Sequence, residues 1–396
     1  EGLRGKVQCI YLDPPYGIKF NSNFQWSTTS TQVKDGSSSH ITREPEQVKA
    51  FRDTWRDGVH SYLTYLRDRL IVSRELLGLT GSIFVQIGDE NVHLIRALLD
   101  EVFGPGNFCG EIHFRKTSAV SSPSARLNVI ASAYDTIVWY ARDVHQVKYH
   151  QLYIAKEAGA EGASQYSWID DGEGRARRLS KTDEVDDTNL RLFGTDNLMS
   201  TGWSDSLSRP IEVEGRIFQP SSNQHWKTTL PGLDRLYRAG RLFRSGQGLY
   251  YKRYLGDFPV FPIINSWADT GSSFMDNKTY VVQTTAKVVQ RCLLMVSDPG
   301  DLILDPTCGS GTTAFVAEQW GRRWITIDTS RVALALARQR IMGAKYPMYL
   351  LADSDKGKVR EAEVSGLPRV GGLSTNDIRH GFVYERVQHI TLKSIA

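Results

Sequence analysis

The chain has 396 residues, with 48 Lys and Arg against 44 Asp and Glu, a formal net charge of +4. Hydrophobic residues make up 40% and charged residues 23%, ordinary for a globular protein, which excludes a disordered tail, a collagen-like chain and a coiled-coil rod. At roughly 100–200 residues per domain, the length implies two domains or one large domain with an insertion, either able to bury a substantial core. No apolar run approaches the roughly 18–20 residues a membrane helix needs, and the opening residues are too polar for a signal peptide. The expected setting is therefore the cytoplasm, with no membrane partner. Four well-separated cysteines (Cys9, Cys109, Cys292 and Cys308) lack zinc-site spacing and are expected to be reduced. Both ends read as internal to a longer chain, because there is no initiator Met and residue 7 already enters a strand.

In chain order, Val7–Leu12 is a short β-branched and aromatic run followed by Asp-Pro-Pro-Tyr-Gly, which reads as a buried strand ending in a loop. Residues 21–50, rich in Ser, Thr, Asn and Gln with few aliphatics, read as a mobile loop. Helical spacing of Tyr62, Leu63, Leu66, Leu70, Ile71, Leu76 and Leu77 predicts a helix over about 55–77, punctuated by Gly78 and Gly81. Strand 82–87, an Asp89 cap and a helix over 90–102 follow, then strands 111–114 and 135–140. The alternation fades after about 150 and resumes with a helix at 284–296, strand 302–305, helix 312–320, strand 324–328 and helix 330–342; residues 382–395 read as a last strand. The fold class is thus α/β, a doubly wound, mostly parallel sheet with helices on both faces. The expected division is 1–150 and 275–396 as two halves of one domain, with 151–274 inserted.

Leu302–Asp305 leads into the tight turn Pro306-Thr307-Cys308-Gly309-Ser310-Gly311, and Thr312 begins a helix. Glycines let a ligand approach the backbone, and the free amides of a helix N-terminus suit a carboxylate or phosphate. A second strand ends about twenty residues on in Asp328, an acid able to accept from ribose hydroxyls. Together these describe a nucleoside-cofactor site at the strand ends of an open sheet. Gly309-x-Gly311-x-x-Ala314 also matches the dinucleotide pattern, so a nicotinamide-dependent oxidoreductase stays open here.

The Asp13-Pro14-Pro15-Tyr16 turn faces the same edge if the two strands are parallel. Read plainly, it is a rigid turn. Read chemically, it answers a specific difficulty: an exocyclic amine is a poor nucleophile because its lone pair is delocalised into the ring. The Asp13 carboxylate and the Pro14 carbonyl could each accept one of its N–H groups and return the lone pair for attack on a methyl-sulfonium. Tyr16 could then stack on a base taken out of the duplex.

The two turns, in this order, resemble the β-class of DNA amino-methyltransferases, and within it the modification subunits of type III restriction systems. The motifs that carry the resemblance are Leu12-Asp-Pro-Pro-Tyr-Gly17 and Ile303-Leu-Asp-Pro-Thr-Cys-Gly-Ser-Gly-Thr-Thr313. Similarity continues in Arg69–Leu77, Gly81–Asp89, Leu98–Gly104 and Ser297–Leu302. The resemblance implies S-adenosylmethionine as cofactor, double-stranded DNA as partner and adenine N6 as acceptor, with cytosine N4 as the alternative. It also implies a restriction or other defence-system subunit as partner, compatibility with a homodimer, and the cytoplasm of a bacterial or archaeal cell. It assigns the catalytic turn to Asp13, Pro14, Pro15 and Tyr16. The cofactor would be lined by Asp305, Pro306, Thr307, Cys308, Gly309, Gly311 and Thr312, with Asp328 at the ribose. Lys287 falls where many members have Lys-Pro, with Val288 in place of the Pro.

Residues 207–254 hold nine Lys and Arg against three acids, interleaved with Phe218, Trp226, Tyr237, Phe243, Tyr250, Tyr251 and Tyr254. The cations suit phosphates. The aromatics either stack on bases or pack a small core, and both readings stay open. The region is the expected target-recognition insertion.

Overall fold

The computed structural model describes residues 2–14, 58–116, 130, 132–157, 159, 162–172, 175–180, 191–271, 284–368 and 371–396. The loop expected over 21–50, Pro15 and Tyr16 lie outside the described residues. The chain divides into two compact units, Glu1–Leu152 with Ile264–Tyr384, and Tyr153–Ile263 with Glu385–Ala396.

The first unit is built on a seven-stranded sheet: β1 (Val7–Leu12), β2 (Leu77–Ile87), β3 (Phe108–Arg115), β4 (Tyr134–Ala141), β5 (Ser266–Trp267), β6 (Leu302–Asp305) and β7 (Arg323–Thr326). Their order is β5-β3-β4-β2-β1-β6-β7. All neighbours are parallel except β4, which is antiparallel to both β2 and β3. Every residue of β1 is buried, as expected of a central parallel strand covered on both faces. Helices α1 (Val59–Leu76) and α2 (Val92–Phe103) bury Tyr62, Leu66, Leu70, Ile95, Leu99 and Phe103 in one core with Ile10, Leu12, Ile83 and Val85. Helices α3 (Ala286–Val296) and α4 (Thr312–Gln319) pack on each other, with α3 against β1 and α4 against β6 and β7. Helices α5 (Arg331–Gly343) and α6 (Asp355–Ser365) complete the unit, α5 against α4.

Several local readings are corrected. Gly78 and Gly81 do not end a helix; they lie inside β2, which starts directly after α1. Pairing with β1 jumps from Val7–Leu77 to Cys9–Ser82. At this bulge a Cβ on Gly81 would lie 3.1 Å from the Val7 carbonyl oxygen, so the glycine serves a close backbone approach. Asp89 does not cap α2; Asn91 holds that position, without a side-chain cap bond. Residues 382–395 do not form a strand. The stretch is irregular and ends in a short helical turn, Leu392–Ile395, whose Leu392 and Ile395 pack into the second unit's core. Their apolar alternation serves burial rather than pairing. Ser266–Trp267, inside the segment expected to be inserted, is instead the edge strand beside β3.

The second unit holds a five-stranded sheet, three two-stranded pairings, and a helix at Leu230–Arg238 capped by Thr229. Its aromatics divide between the two readings left open by the sequence. Phe218, Trp226 and Tyr251 are core residues, whereas Tyr237 is exposed. Much of its basic charge is answered internally: Lys252 by Asp170 at 2.6 Å, Arg241 by Asp257 at 2.6 Å and Arg244 by Glu214 at 2.9 Å.

Candidate active site

Parallel pairing of β1 with β6 sets Cys9 beside Ile303 and Ile10 beside Leu304, so both strands reach the same sheet edge. The turns that follow are therefore neighbours. The Asp13 N–H donates to Thr307 Oγ1 at 2.9 Å. Thr307 in turn donates to Asp305 Oδ1, from its N–H at 2.9 Å and its hydroxyl at 3.3 Å. One threonine thus joins two turns separated by almost three hundred residues.

The Asp13 carboxylate is oriented from the other side. Tyr11 donates its hydroxyl proton to Gln86 Oε1 at 2.5 Å, the Gln86 amide donates to Thr284 Oγ1 at 3.0 Å, and Thr284 donates to Asp13 Oδ2 at 3.3 Å. The Thr284 hydroxyl also lies 3.2 Å from Gln86 Oε1, but it has a single proton, and the ionised Asp13 carboxylate is the stronger acceptor. Tyr11 and Gln86 are buried, so this chain is screened from water and directional. Pro14 is buried beside Asp13.

The glycine turn is held as firmly. The Gly309 N–H donates to Asp328 Oδ2 and the Ser330 N–H to Oδ1, both at 2.8 Å, so the acid at the end of the second strand orients the loop. The Cys308 N–H reaches the Ile327 carbonyl at 2.8 Å. Gly311, the N-cap of α4, has φ +72°, and a Cβ there would lie 2.7 Å from Ala337 Cβ on α5. The glycine is therefore required by helix packing as well as by conformation. Arg340 on α5 donates to Thr312 Oγ1 at 2.9 Å, Ser310 Oγ at 3.2 Å and the Ser310 carbonyl at 3.3 Å. Its guanidinium lies 4.9 Å from the Phe315 ring centroid.

Burial dominates the electrostatics. It pushes the Asp305 carboxyl up to about 6, against the opposing bonds from Thr313 and Thr307. It pushes the Cys308 thiol up to about 11, which suits a packing residue rather than a nucleophile. Pro306 is half-buried in the turn and Thr312 buried at the start of α4. Lys287, on the first turn of α3, pairs with Asp269 at 2.7 Å. Arg291 grips the same carboxylate with two bonds, at 2.8 and 2.6 Å, and holds it well below the usual range.

The structure thus brings together Asp13, Pro14 and the 305–312 turn with Asp328, and turns Lys287 to Asp269. Thr284, Gln86, Tyr11 and Arg340 were not legible as site residues. Tyr11 and Gln86 stand in strands, Arg340 in a helix and Thr284 in the loop before α3, places where a polar residue carries no spacing signal, and only the fold reveals what they touch.

A glycine turn between strand and helix, bonded to an acid-bearing turn across one sheet edge, is the layout of an α/β transferase with a nucleoside cofactor. A DNA methylase family model matches residues 7–339, and the chain belongs to that family. It is 28% identical over 373 residues to the type II methyltransferase M.EcaI of Enterobacter cloacae, covering 92% of this chain and 71% of that protein. It is 26% identical over 147 residues to the type III restriction-modification enzyme EcoP15I Mod subunit of Escherichia coli, covering 36% of this chain and 22% of that protein. The match to this Mod subunit thus spans far less than two thirds of its length. Among solved structures, the M1.HpyAVI–SAM complex is similar with a TM-score of 0.39 and 11% identity, over 85% of this chain and 89% of that one.

Proposed function

We propose that the first unit transfers a methyl group from S-adenosylmethionine to the exocyclic N6 amine of adenine in double-stranded DNA, with the base turned out of the duplex. The observation that carries this reading is the 2.9 Å bond from Asp13 N–H to Thr307, which ties the acceptor turn to the cofactor turn.

The residues present fit that cofactor. Asp305 is a buried carboxyl at a strand end, suited to a ligand's ammonium; the α4 N-terminus suits its carboxylate; Asp328 lies where ribose hydroxyls would be met. Bound there, S-adenosylmethionine supplies an electrophilic methyl on its sulfonium. The Asp13 carboxylate accepts one N–H of the adenine amine and the Pro14 carbonyl the other. This draws the nitrogen out of conjugation and aims its lone pair at the methyl. As the nitrogen–carbon bond forms and the carbon–sulfur bond breaks, positive charge grows on the nitrogen, and Asp13 stabilises it and takes the proton the nitrogen must lose. Thr284 holds the carboxylate so that it need not reorient during transfer. Tyr16, by the family resemblance, stacks on the base.

The second unit would serve target recognition, and the Mod-subunit relatives favour a nuclease partner. The test is to incubate the chain with labelled cofactor and plasmid DNA, then digest to nucleosides. Label in N6-methyladenine is expected. Label in N4-methylcytosine would overturn the choice of base, and unlabelled DNA would overturn the reading.

A further inference from the structure

The second unit contains a cavity of about 420 Å³ whose lining lies wholly within that unit. The size falls in the range of sites that enclose a small molecule, about 300–1,000 Å³. Three features of its wall point to one chemistry.

The first is aromatic surface. Tyr166, Tyr251 and Phe258 line it, and the His389 ring lies 4.3 Å from the Phe258 ring, centroid to centroid, at 32°. The wall already contains a close, tilted ring pair beside which a further planar ring can pack. The second is charge. Lys156, Lys227 and Arg253 line the cavity with Asp196 and Asp257. Asp257 is answered by Arg241 at 2.6 Å, and Asp196 by Arg253 at 3.2 Å, so both acids of the wall have an arginine partner. Lys156 donates to the Phe258 carbonyl at 2.5 Å, and burial lowers its affinity for a proton, a cost that an arriving anion relieves. Lys227 is exposed at the rim. The third is an unmet hydrogen bond. Tyr251 is only 2% exposed, and its hydroxyl has no hydrogen-bond partner among the described residues. Buried hydroxyls are normally bonded, and this one is closed to water here, so a ring edge would meet it only as the cavity wall shifts to admit the ring.

A planar ring, an anion and a polar ring edge together are a nucleotide. We propose that the cavity takes one nucleotide of the DNA substrate, unstacked from its neighbours, with the base against the aromatic wall and Tyr251, and the phosphate against Lys227 and Lys156. This is a second nucleotide pocket, apart from the acceptor turn at Asp13. It depends on the reading of the chain as a DNA methyltransferase only for the source of the nucleotide.

The test uses the full chain and two short duplexes, one carrying a single bulged 5-iodouracil and the other fully paired. The bulged duplex should bind about tenfold more tightly, the scale of one stacked base. Irradiation should cross-link the bulged base within residues 248–258 or 385–391. Tyr251→Phe removes only a hydroxyl and Lys227→Ala only a surface cation, so both should fold with an unchanged melting temperature. Each should erase most of the bulge preference. Asp13→Ala should keep it, which separates failure of this proposal from failure of the transfer reading. Cross-links confined to the first unit, or undiminished preference in both cavity variants, would overturn the pocket. Free deoxyadenosine monophosphate binding as tightly as the bulged duplex would overturn the DNA strand as its source.

Discussion

Asp13 and Asp305 lie within one threonine of each other but in different surroundings. Asp13 is half-buried and receives the Thr284 hydroxyl, so its charge is supported where a reacting amine would meet it. Replacing Asp13 with Ala should reduce methyl transfer by about a thousandfold while cofactor affinity stays within a few-fold, measured by turnover and calorimetry. Thr284→Val removes both the bond to Asp13 and the one that Thr284 accepts from the Gln86 amide, at nearly unchanged volume. It should lower kcat about tenfold and leave the cofactor dissociation constant unchanged; an unaltered kcat would show that Thr284 does not position the acid.

Asp305 is 4% exposed and titrates near 6 instead of 3.8. Its folded pKa is raised, so its contribution to stability is fully present below about pH 4 and is lost as pH rises through 6. The loss amounts to about 3 kcal/mol. A cationic ligand group prefers the ionised carboxyl, so affinity for S-adenosylmethionine should rise with pH across the same window. Both dependences should vanish in Asp305→Asn, read by urea unfolding and by calorimetric titration between about pH 3.5 and 7.5, which spans both flanks of the transition.

Among the elements, the α4–α5 pair decides whether the glycine turn keeps its shape. Gly311 combines φ +72° with a would-be Cβ at 2.7 Å from Ala337. Gly311→Ala should therefore cost about 2–4 kcal/mol in urea unfolding, adding left-handed strain to overpacking. It should weaken cofactor binding in parallel, because the displaced helix carries Arg340. The glycine pattern was legible as a strand-to-helix turn, and the acid twenty residues later as its companion. The reason for the glycine at 311 was not, because it lies in a helix that the pattern places only by sequence order. Gly78 and Gly81 show the converse: in a linear string they look like a helix end, and only pairing with β1 identifies a bulge.

For the molecule as a whole, each unit has its own buried polar anchor. In the second, Asp170 accepts from Lys252 and from Tyr254, each at 2.6 Å, and both partners are almost wholly buried. Lys252→Ala leaves that carboxylate without its cation and should destabilise the second unit by about 3–5 kcal/mol. Cofactor affinity should not change, since its proposed residues lie in the first unit. Differential scanning calorimetry with and without S-adenosylmethionine checks both parts.

By itself the sequence determined the α/β class, the two chemical turns and their order, because strand periodicity, rigid prolines and glycine spacing are local signals that survive in one dimension. It also placed a basic, aromatic segment between them. The tertiary structure alone decided that the turns meet. That depends on β1 and β6 pairing in parallel across nearly three hundred residues, and no local preference encodes so distant a register. It decided equally that Thr284 bonds Asp13 and Gln86 bonds Thr284, that Arg340 bonds the glycine turn, and that Tyr251 both packs into the second unit's core and lines its cavity. A side chain's role there follows from what folding brings against it, and the same Tyr or Arg serves either purpose.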